Sequence, residues 1–292
     1  MSSTTYLSTL HLAARLVTIF LCIPIFAAGI LGNILIIIVF LSLKTFRENS
    51  CAFYLLIMSI SNLIHLLTSM LTRIVISGFD IDWMLMSVAF CKIRNFSLQY
   101  SAVISSTCLC LATIDQYLAT CFRPHWQQWS SIKLTRRLAL FFIIFWLIDQ
   151  IPTLIFYEHV LTASNTIVCT IINPIFSKFN MYFNQVFLWT VVSLFLTSLF
   201  GILSFYNIKH LAYRTIPLVR RELDKQLTTM VLVQCIFNIL ALVPSITIHI
   251  LNLNETLETD KTKAAQIYLS YTSTVWLYYL YYAVSLEQTR LL

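Results

Sequence analysis

The sequence predicts an all-helical membrane protein, a bundle of seven transmembrane helices with the N-terminus outside and the C-terminus inside. Hydrophobic residues make up 59% of the 292 residues and charged residues only 11%. Soluble domains have roughly 45–50% and about 25% of these residues. Seven apolar stretches are each long enough to cross about 30 Å of hydrocarbon as a helix. The positive charges gather in the segments that this topology places inside.

Each predicted span has the length at which a helix satisfies its own backbone polar groups across the bilayer. The spans belong to a single domain over residues 1–292, which shows no repeats. They are residues 16–42, 53–76, 91–121, 138–157, 183–207, 227–251 and 264–285. The first fifteen residues lack the charged region and cleavage site of a signal peptide, so we expect the first span to be an uncleaved anchor.

The distribution of positive charge predicts the orientation. Nineteen Lys and Arg against twelve Asp and Glu give a formal net charge of +7. With the N-terminus outside, seven of the nineteen lie in outer segments and twelve in inner segments, as the positive-inside rule requires. The twelve are Lys44, Arg47, Arg123, Lys133, Arg136, Arg137, Lys209, Arg214, Arg220, Arg221, Lys225 and Arg290. Orientation thus explains the basic balance, and no nucleic-acid partner is expected.

Several classes of protein are excluded by missing residues. The four glycines are too scattered for a nucleotide-binding loop, and no motif of an intramembrane protease is present. A retinal protein needs a lysine in its last helix, and none lies within 264–285. The eight cysteines show no spacing suited to zinc. We therefore expect neither an enzyme nor a cofactor or metal site.

Two of the eight cysteines lie on the outer side under this topology. Cys91 begins the third span and Cys169 lies in the second outer loop. Because the outside of the cell is oxidising, we expect a disulfide between them; two free thiols are the alternative.

Sequence landmarks recur in order along the chain. They are Gly32-Asn33 in the first span, Asn62 in the second, Cys91 and the triplet Asp115-Gln116-Tyr117 in the third, Trp146 in the fourth and Pro244 in the sixth. Gln116 follows Cys91 by twenty-five residues. By this ordered set, the chain resembles the rhodopsin-like (class A) family of G protein-coupled receptors over nearly its whole length.

The resemblance implies a multi-pass plasma-membrane protein with an extracellular ligand and a heterotrimeric G protein on its cytoplasmic side. The sixth helix is then expected to swing about Pro244, opening an inner cleft beside Gln116. Tyr281 and Tyr282 are both candidates for the switch tyrosine of the last helix, and the choice stays open. The polar core implied by the resemblance consists of Asn33, Asn62 and Ser105.

Departures from the family pattern also lead to expectations. The family has an arginine where this chain has the neutral Gln116, which makes fewer hydrogen bonds. Asp115 then needs another partner, Arg123 or Arg136, or becomes neutral. Asn62 and Ser105 supply no negative charge, so sodium regulation is expected to be weak or absent. The ending at Leu292 indicates either a fragment or a shortened receptor.

The resemblance places a ligand pocket between the outer halves of the third, fifth, sixth and seventh helices. The ligand-binding candidates are Gln99, Ala102, Trp189, His249, Tyr268 and Tyr271. Leu98 stands where amine receptors have an aspartate, which disfavours an amine. Arg73 and Arg94 either bind a carboxylate of the ligand or only snorkel to the membrane–water interface. Asp149 is a functional hypothesis because a charge within a span is costly; packing inside the bundle is the alternative.

The proposed ligand is a neuropeptide, because outer acids are able to steer a basic peptide and the triplet is similar to that of invertebrate RFamide-like receptors. An ordinary solvated rim explains the acids equally well. Two alternatives to a signalling receptor stay open. One is a membrane transporter or ion channel, and the other is a receptor-like protein impaired in G protein coupling.

Overall fold

The computed structural model describes residues 3–121, 123–162, 167–211, 218–252 and 261–283. Within these ranges, seven long helices form a bundle. They are α1 (Ser8–Ser42, preceded by helical residues from Ser3), α2 (Ser50–Gly78), α3 (Val88–Thr120), α4 (Ile132–Phe156), α5 (Pro174–Ile208), α6 (Leu218–Asn252) and α7 (Lys261–Ala283). Short helical turns occupy Lys44–Arg47, Trp83–Leu85 and Pro124–Gln127.

Six helices in the described part of the chain are long and apolar enough to cross a membrane. They are α1 to α5 and, within α6, Glu222–Pro244. The seventh, α7, packs against α1 and α6 and completes the bundle. Large apolar side chains such as Phe20 (71% exposed) and Ile148 (62% exposed) face outward, as expected where lipid is the solvent. The predicted fold class, a helical membrane bundle, is confirmed.

The third helix is the centre of the bundle, since α3 packs against α2, α4, α5 and α6. Small residues on α3, including Ser101, Ala102, Ser105 and Ala112, are almost completely buried. Small side chains allow neighbouring helices to approach closely where no hydrophobic force drives them together.

Polar side chains begin three of the helices. The Oδ1 atom of Asn49 accepts a hydrogen bond from the Ala52 amide (3.1 Å) at the start of α2. Ser87 Oγ accepts from the Ala89 amide (3.2 Å) at the start of α3. At α5, Asn173 Oδ1 accepts from two amides, next to a proline in the first helical position. These side chains satisfy amides that have no partner within the helix.

Three of the described helices contain π-helical segments, a feature that the sequence did not predict. These segments are Thr18–Cys22 in α1, Leu66–Met70 and Ile74–Gly78 in α2, and Phe179–Val192 in α5. Within α5, Thr190 Oγ1 donates to the carbonyl of Gln185, five residues earlier (2.9 Å). Because π-turns are wider than α-turns, they change the direction of the side chains that follow.

A β-hairpin covers the outer side of the bundle between α4 and α5. Strands β1 (Tyr157–Leu161) and β2 (Ile167–Ile171) pair antiparallel, with His159 opposite Cys169. Cys169 forms the predicted disulfide with Cys91 at the start of α3, with a Cα–Cα distance of 6.1 Å. The disulfide is therefore confirmed, while the hairpin was not predicted.

The first and last helices are in close contact at a glycine. A Cβ atom added to Gly29 would lie 2.8 Å from the Cβ of Ala283 and 3.1 Å from its Cα. Beside this contact, Asn33 Nδ2 donates to the carbonyls of Gly29 (2.8 Å) and Tyr282 (2.9 Å). The Gly-Asn landmark thus joins α1 to α7.

Candidate functional site

A cavity of about 440 Å³ lies at the outer end of the bundle, between the helices α2 to α7 and the start of β1. Three ligand-binding candidates, Gln99, Trp189 and Tyr271, line it. The Nε2 atom of Gln99 also donates to the hydroxyl of Tyr157, the first residue of β1 (3.4 Å). The hairpin therefore contributes directly to the cavity wall.

The other three candidates do not line this cavity in the described structure. Ala102 is completely buried (0% exposed) and is not among the described residues that line the cavity, so its place in a ligand site stays a prediction without support from this cavity. The side chains of His249 and Tyr268 lie outside the described part of the chain, so those two predictions stay as they were.

One side of the cavity is cationic. Arg73 of α2 and Arg94 of α3 both line it. The guanidinium carbon of Arg73 lies 4.6 Å from the ring centroid of Tyr271 on α7. Arg94 Nη1 donates to Asn95 Oδ1 (3.2 Å). No Asp or Glu is among the described residues that line the cavity.

Amide side chains form the α4 and α5 side. Gln150, Asn180 and Asn184 line the cavity. Behind them, Asp149 Oδ2 accepts from Gln150 Nε2 (2.7 Å) and from Asn184 Nδ2 (3.2 Å). Asp149 is therefore held by amides at the edge of the bundle, and it orients two of the lining side chains.

The inner end of the cavity is aromatic and apolar. Trp189 and Tyr278 meet edge to face with their centroids 5.7 Å apart. Tyr279, on the next position of α7, shares a 2.8 Å hydrogen bond with Ser69 of α2. Leu242 also lines the cavity, and it lies only two residues before Pro244 within α6.

The predicted polar core is partly brought together. Ser105 Oγ donates to Asn62 Oδ1 (2.6 Å) and lies 3.4 Å from the hydroxyl of Tyr281. Asn33 is not in this group, because it bonds to backbone between α1 and α7. The two tyrosine candidates differ: Tyr281 reaches the core, whereas Tyr282 stacks on His65 at 3.9 Å.

Sequence reasoning missed a second polar cluster in the middle of the bundle. Ser106 Oγ of α3 donates to Ser193 Oγ of α5 (2.7 Å), and Asn238 Nδ2 of α6 lies 3.5 Å from the same oxygen. The only signal in the sequence was a polar residue within each apolar span. Such residues are common, and nothing in the spacing showed that these three would meet.

At the inner end, Gln116 of the triplet joins α3 to α6. Its Oε1 atom accepts a 2.9 Å hydrogen bond from Thr228 Oγ1, and both residues are 1% exposed. The neighbouring Tyr117 packs against Phe200 of α5, with ring centroids 5.5 Å apart. The sequence predicted that Gln116 matters here but did not identify Thr228.

Asp115 lies beside an inner cavity of about 550 Å³, which Gln116 and Asp224 also line. Neither Arg123 nor Arg136 forms an ion pair with it in the described structure, so the other expectation, that Asp115 becomes neutral, stays a prediction. Arg123 is exposed, and the guanidinium of Arg136 lies over the ring of Phe53, 5.9 Å from its centroid.

Comparison with known protein families identifies the family of this chain. The family described as 7 transmembrane receptor (rhodopsin family) matches residues 32–284, which is most of the chain. The chain belongs to this family. It is a G protein-coupled receptor of class A and not an enzyme, and its family implies an extracellular ligand and a G protein partner. The transporter or channel alternative is not favoured. No curated protein matches the receptor significantly.

In this receptor, α6 therefore takes part in both the outer cavity and the contacts at the inner end of the bundle. An outer cavity is lined by Leu242, two residues before Pro244 in α6, and an inner hydrogen bond joins the same helix to α3. Asn238, the α6 member of the second polar cluster, lies between Thr228 and Leu242 along α6.

Proposed function

We propose that the receptor lies in the plasma membrane, binds an extracellular peptide in the outer cavity and signals to a G protein by movement of α6 about Pro244. The observation that carries this proposal is the position of Leu242. This side chain lines the cavity and lies two residues from the proline of the helix that is bonded to Gln116 at its inner end.

Pro244 gives α6 a point at which to bend. A proline within a helix lacks the amide donor and clashes with the preceding turn, so the helix is weakened there. A ligand that pushes on Leu242 acts almost at this point. On the inner side of the proline, Gln234 Nε2 donates to the carbonyl of Tyr281 (2.8 Å), and Thr228 bonds to Gln116. Movement of α6 has to break or rearrange these bonds.

The inner bond favours the closed arrangement of α3 and α6. A neutral hydrogen bond contributes about 1 kcal/mol, much less than the cost of breaking a buried ion pair. A ligand shifts the balance between closed and open states only by its different affinity for the two. A weak inner bond therefore needs only a modest difference in affinity to be overcome.

The position of the cavity at the outer end of the bundle supports a ligand, such as a peptide, that arrives from outside the cell. Support from the acidic rim is smaller than the sequence indicated. Asp80 pairs with Arg15 (3.0 Å), and Asp82 accepts a hydrogen bond from the Met84 amide (2.9 Å). Glu158 is exposed, whereas Glu255, Glu258 and Asp260 lie outside the described residues. Similarity to RFamide-like receptors stays a prediction from the triplet.

A G protein activation assay in membranes tests the proposal. Wild type and Gln116→Arg are compared with and without a pooled peptide library at matched surface expression. We expect at least one peptide to activate the wild type, which makes Gln116 a functional variant of the family's arginine. A response from Gln116→Arg alone would show instead that coupling is impaired in the natural sequence. Silence from both would contradict the peptide proposal, and ion flux would then be measured.

A further inference from the structure

The charges that line the outer cavity point to the chemistry of its ligand. Arg73 and Arg94 line this cavity, and no acid is among the described residues of its wall. We propose that the ligand is anionic and presents a carboxylate to Arg94 and Arg73. This inference rests on the proposed function only in taking the outer cavity as the ligand site.

Arg94 carries most of the argument. Among the described residues, its one hydrogen bond is from Nη1 to Asn95 Oδ1, and its Nε atom is buried with no hydrogen-bond partner. Within the described ranges it forms no ion pair. A guanidinium has five N–H donors and stays charged, and burying it short of acceptors is costly. A carboxylate satisfies both needs, because its two oxygens match the guanidinium fork.

The disulfide positions Arg94 for this role. Asn95 Nδ2 donates to the carbonyl of Cys91 (2.9 Å) and lies 3.2 Å from Cys169 Sγ. With its amide nitrogen engaged on that side, Asn95 presents Oδ1 to Arg94. The guanidinium is therefore held at the cavity wall by the same link that joins the hairpin to α3.

Arg73 adds a second positive charge from α2. Its guanidinium lies over the Tyr271 ring, which stabilises a cation without neutralising it. Two cations on neighbouring helices at one wall make an electrostatic site for an anion, and the effect is strengthened because the cavity is partly shielded from water.

The amides of α5 indicate what the rest of the ligand carries. Asn184 points Nδ2 at Asp149, and the Oδ1 atoms of Asn184 and Asn180 are buried without a hydrogen-bond partner in the part of the chain that the structure describes. These oxygens are acceptors, so an N–H or O–H group of the ligand fits beside them. The Asp149 carboxylate accepts hydrogen bonds from the Gln150 and Asn184 amides and is not among the described residues that line the cavity. The ligand is thus an acid with a hydrogen-bond donor and an apolar body along Trp189.

Two sources supply this chemistry: the free C-terminal carboxylate of a peptide, or a small organic acid. In either case the acid is favoured over its amide. The amidated end of an RFamide-like peptide has no carboxylate. Comparing the acid and the amide of one compound therefore separates the anionic-ligand proposal from the RFamide-like prediction.

The test uses matched probes and purified receptor in lipid nanodiscs. One set contains peptides made both as free acids and as C-terminal amides; the other contains arylalkyl carboxylates, each with its primary amide. Binding is measured by the rise in unfolding temperature with probe concentration, and signalling by G protein activation. The variants are Arg94→Gln, Arg94→Lys and, as a control, Lys92→Gln, which removes a cation from the same end of α3 outside the cavity wall.

We expect carboxylates from at least one set to bind the wild type and to bind more tightly than their amides. Arg94→Gln should weaken carboxylate binding about 30-fold or more, the lower end for removing one partner of a buried charge pair. Arg94→Lys should weaken it less, since it keeps the charge but loses the fork. Amide binding should change little in either variant, and Lys92→Gln should bind both probes as the wild type does.

Three results would overturn the inference: amides binding as tightly as acids, an equal loss for acids and amides in Arg94→Gln, or no binding by any carboxylate. Failure of the proposed function looks different. Carboxylates that bind without activating the G protein would support the anion site and contradict signalling. Activation by amides alone would support signalling and contradict the anion site.

Discussion

Thr228 on α6 donates a 2.9 Å hydrogen bond to Gln116 on α3, at the inner end of the bundle. Gln116 stands where the family pattern has arginine, so a neutral amide oxygen here holds a helix that moves in the proposed mechanism. Both side chains are almost completely buried. Leaving such a buried acceptor without its donor is costly. The bond is therefore weak enough to break during activation, but its loss in the closed state is costly enough to shift the balance between closed and open states.

Removing the donor should raise activity in the absence of ligand. Thr228→Val keeps the shape of the side chain but leaves Gln116 Oε1 without a donor in the closed state. A loss of about 1 kcal/mol corresponds to about a fivefold increase in the open population. Basal G protein activation, normalised to surface expression, measures this change.

The next residue is a matched control. Thr229 is exposed, and its hydroxyl donates to the carbonyl of Lys225 within α6 (2.9 Å). Thr229→Val removes the same hydroxyl group without touching α3, so basal activity should stay within about twofold of the wild type, since surface changes of this kind have small effects. Equal increases in both variants would mean that a general effect on α6, and not the bond to Gln116, is responsible.

Gly29 should not tolerate alanine. The added Cβ would lie 2.8 Å from the Cβ of Ala283 and 2.8 Å from Leu66 Cδ1. Since Ala283 has no flexible end to move, α7 must shift, which should cost about 1–3 kcal/mol of unfolding free energy. At Gly201, by contrast, a Cβ would meet Leu232 Cδ2 at 3.5 Å, an ordinary contact. Gly201→Ala should be neutral or stabilise by up to about 1 kcal/mol. Thermal unfolding of the two purified variants tests this, and a Gly29→Ala variant as stable as the wild type would contradict the close contact of α1 with α7.

The disulfide should support ligand binding as well as stability. Cys169→Ser frees the hairpin and removes a contact of Asn95, which positions Arg94. We expect about 2–5 kcal/mol less stability, the usual range for a disulfide of a small extracellular domain, together with weaker binding of any ligand that contacts Arg94. Cys121→Ser, at the inner end of α3, changes another cysteine and should leave ligand affinity unaltered. If both variants bind ligand as the wild type does, the hairpin does not position the cavity wall.

The fold was largely predictable because its signals are strong and local. Long apolar stretches and the inner excess of Lys and Arg depend only on composition along the chain. The Cys91–Cys169 link followed from compartment alone. By contrast, the π-segments and the β-hairpin have no comparable pattern, since both depend on how neighbouring elements pack.

The candidate site was only partly predictable. Gln99, Trp189 and Tyr271 were chosen from the outer helix halves where the resemblance places a pocket, and all three line the cavity, while their part in ligand binding stays a prediction. Ala102 does not line the cavity, because position on a helix does not show whether a short side chain reaches a cavity. Thr228 was missed because its partner is 112 residues away, and a threonine in an apolar span gives no sign of what it contacts.

The distance between the inner ends of α3 and α6 tests the central claim most directly. Spin labels at Arg123→Cys and Lys225→Cys, both exposed positions, report this distance by pulsed electron resonance in a Cys121→Ser background. If the bond between Thr228 and Gln116 controls the opening of α6, Thr228→Val should show a larger population at long distance than Thr229→Val. Added G protein should increase that population further in both. Identical distance distributions for the two variants, with no response to G protein, would contradict a switch held by this bond.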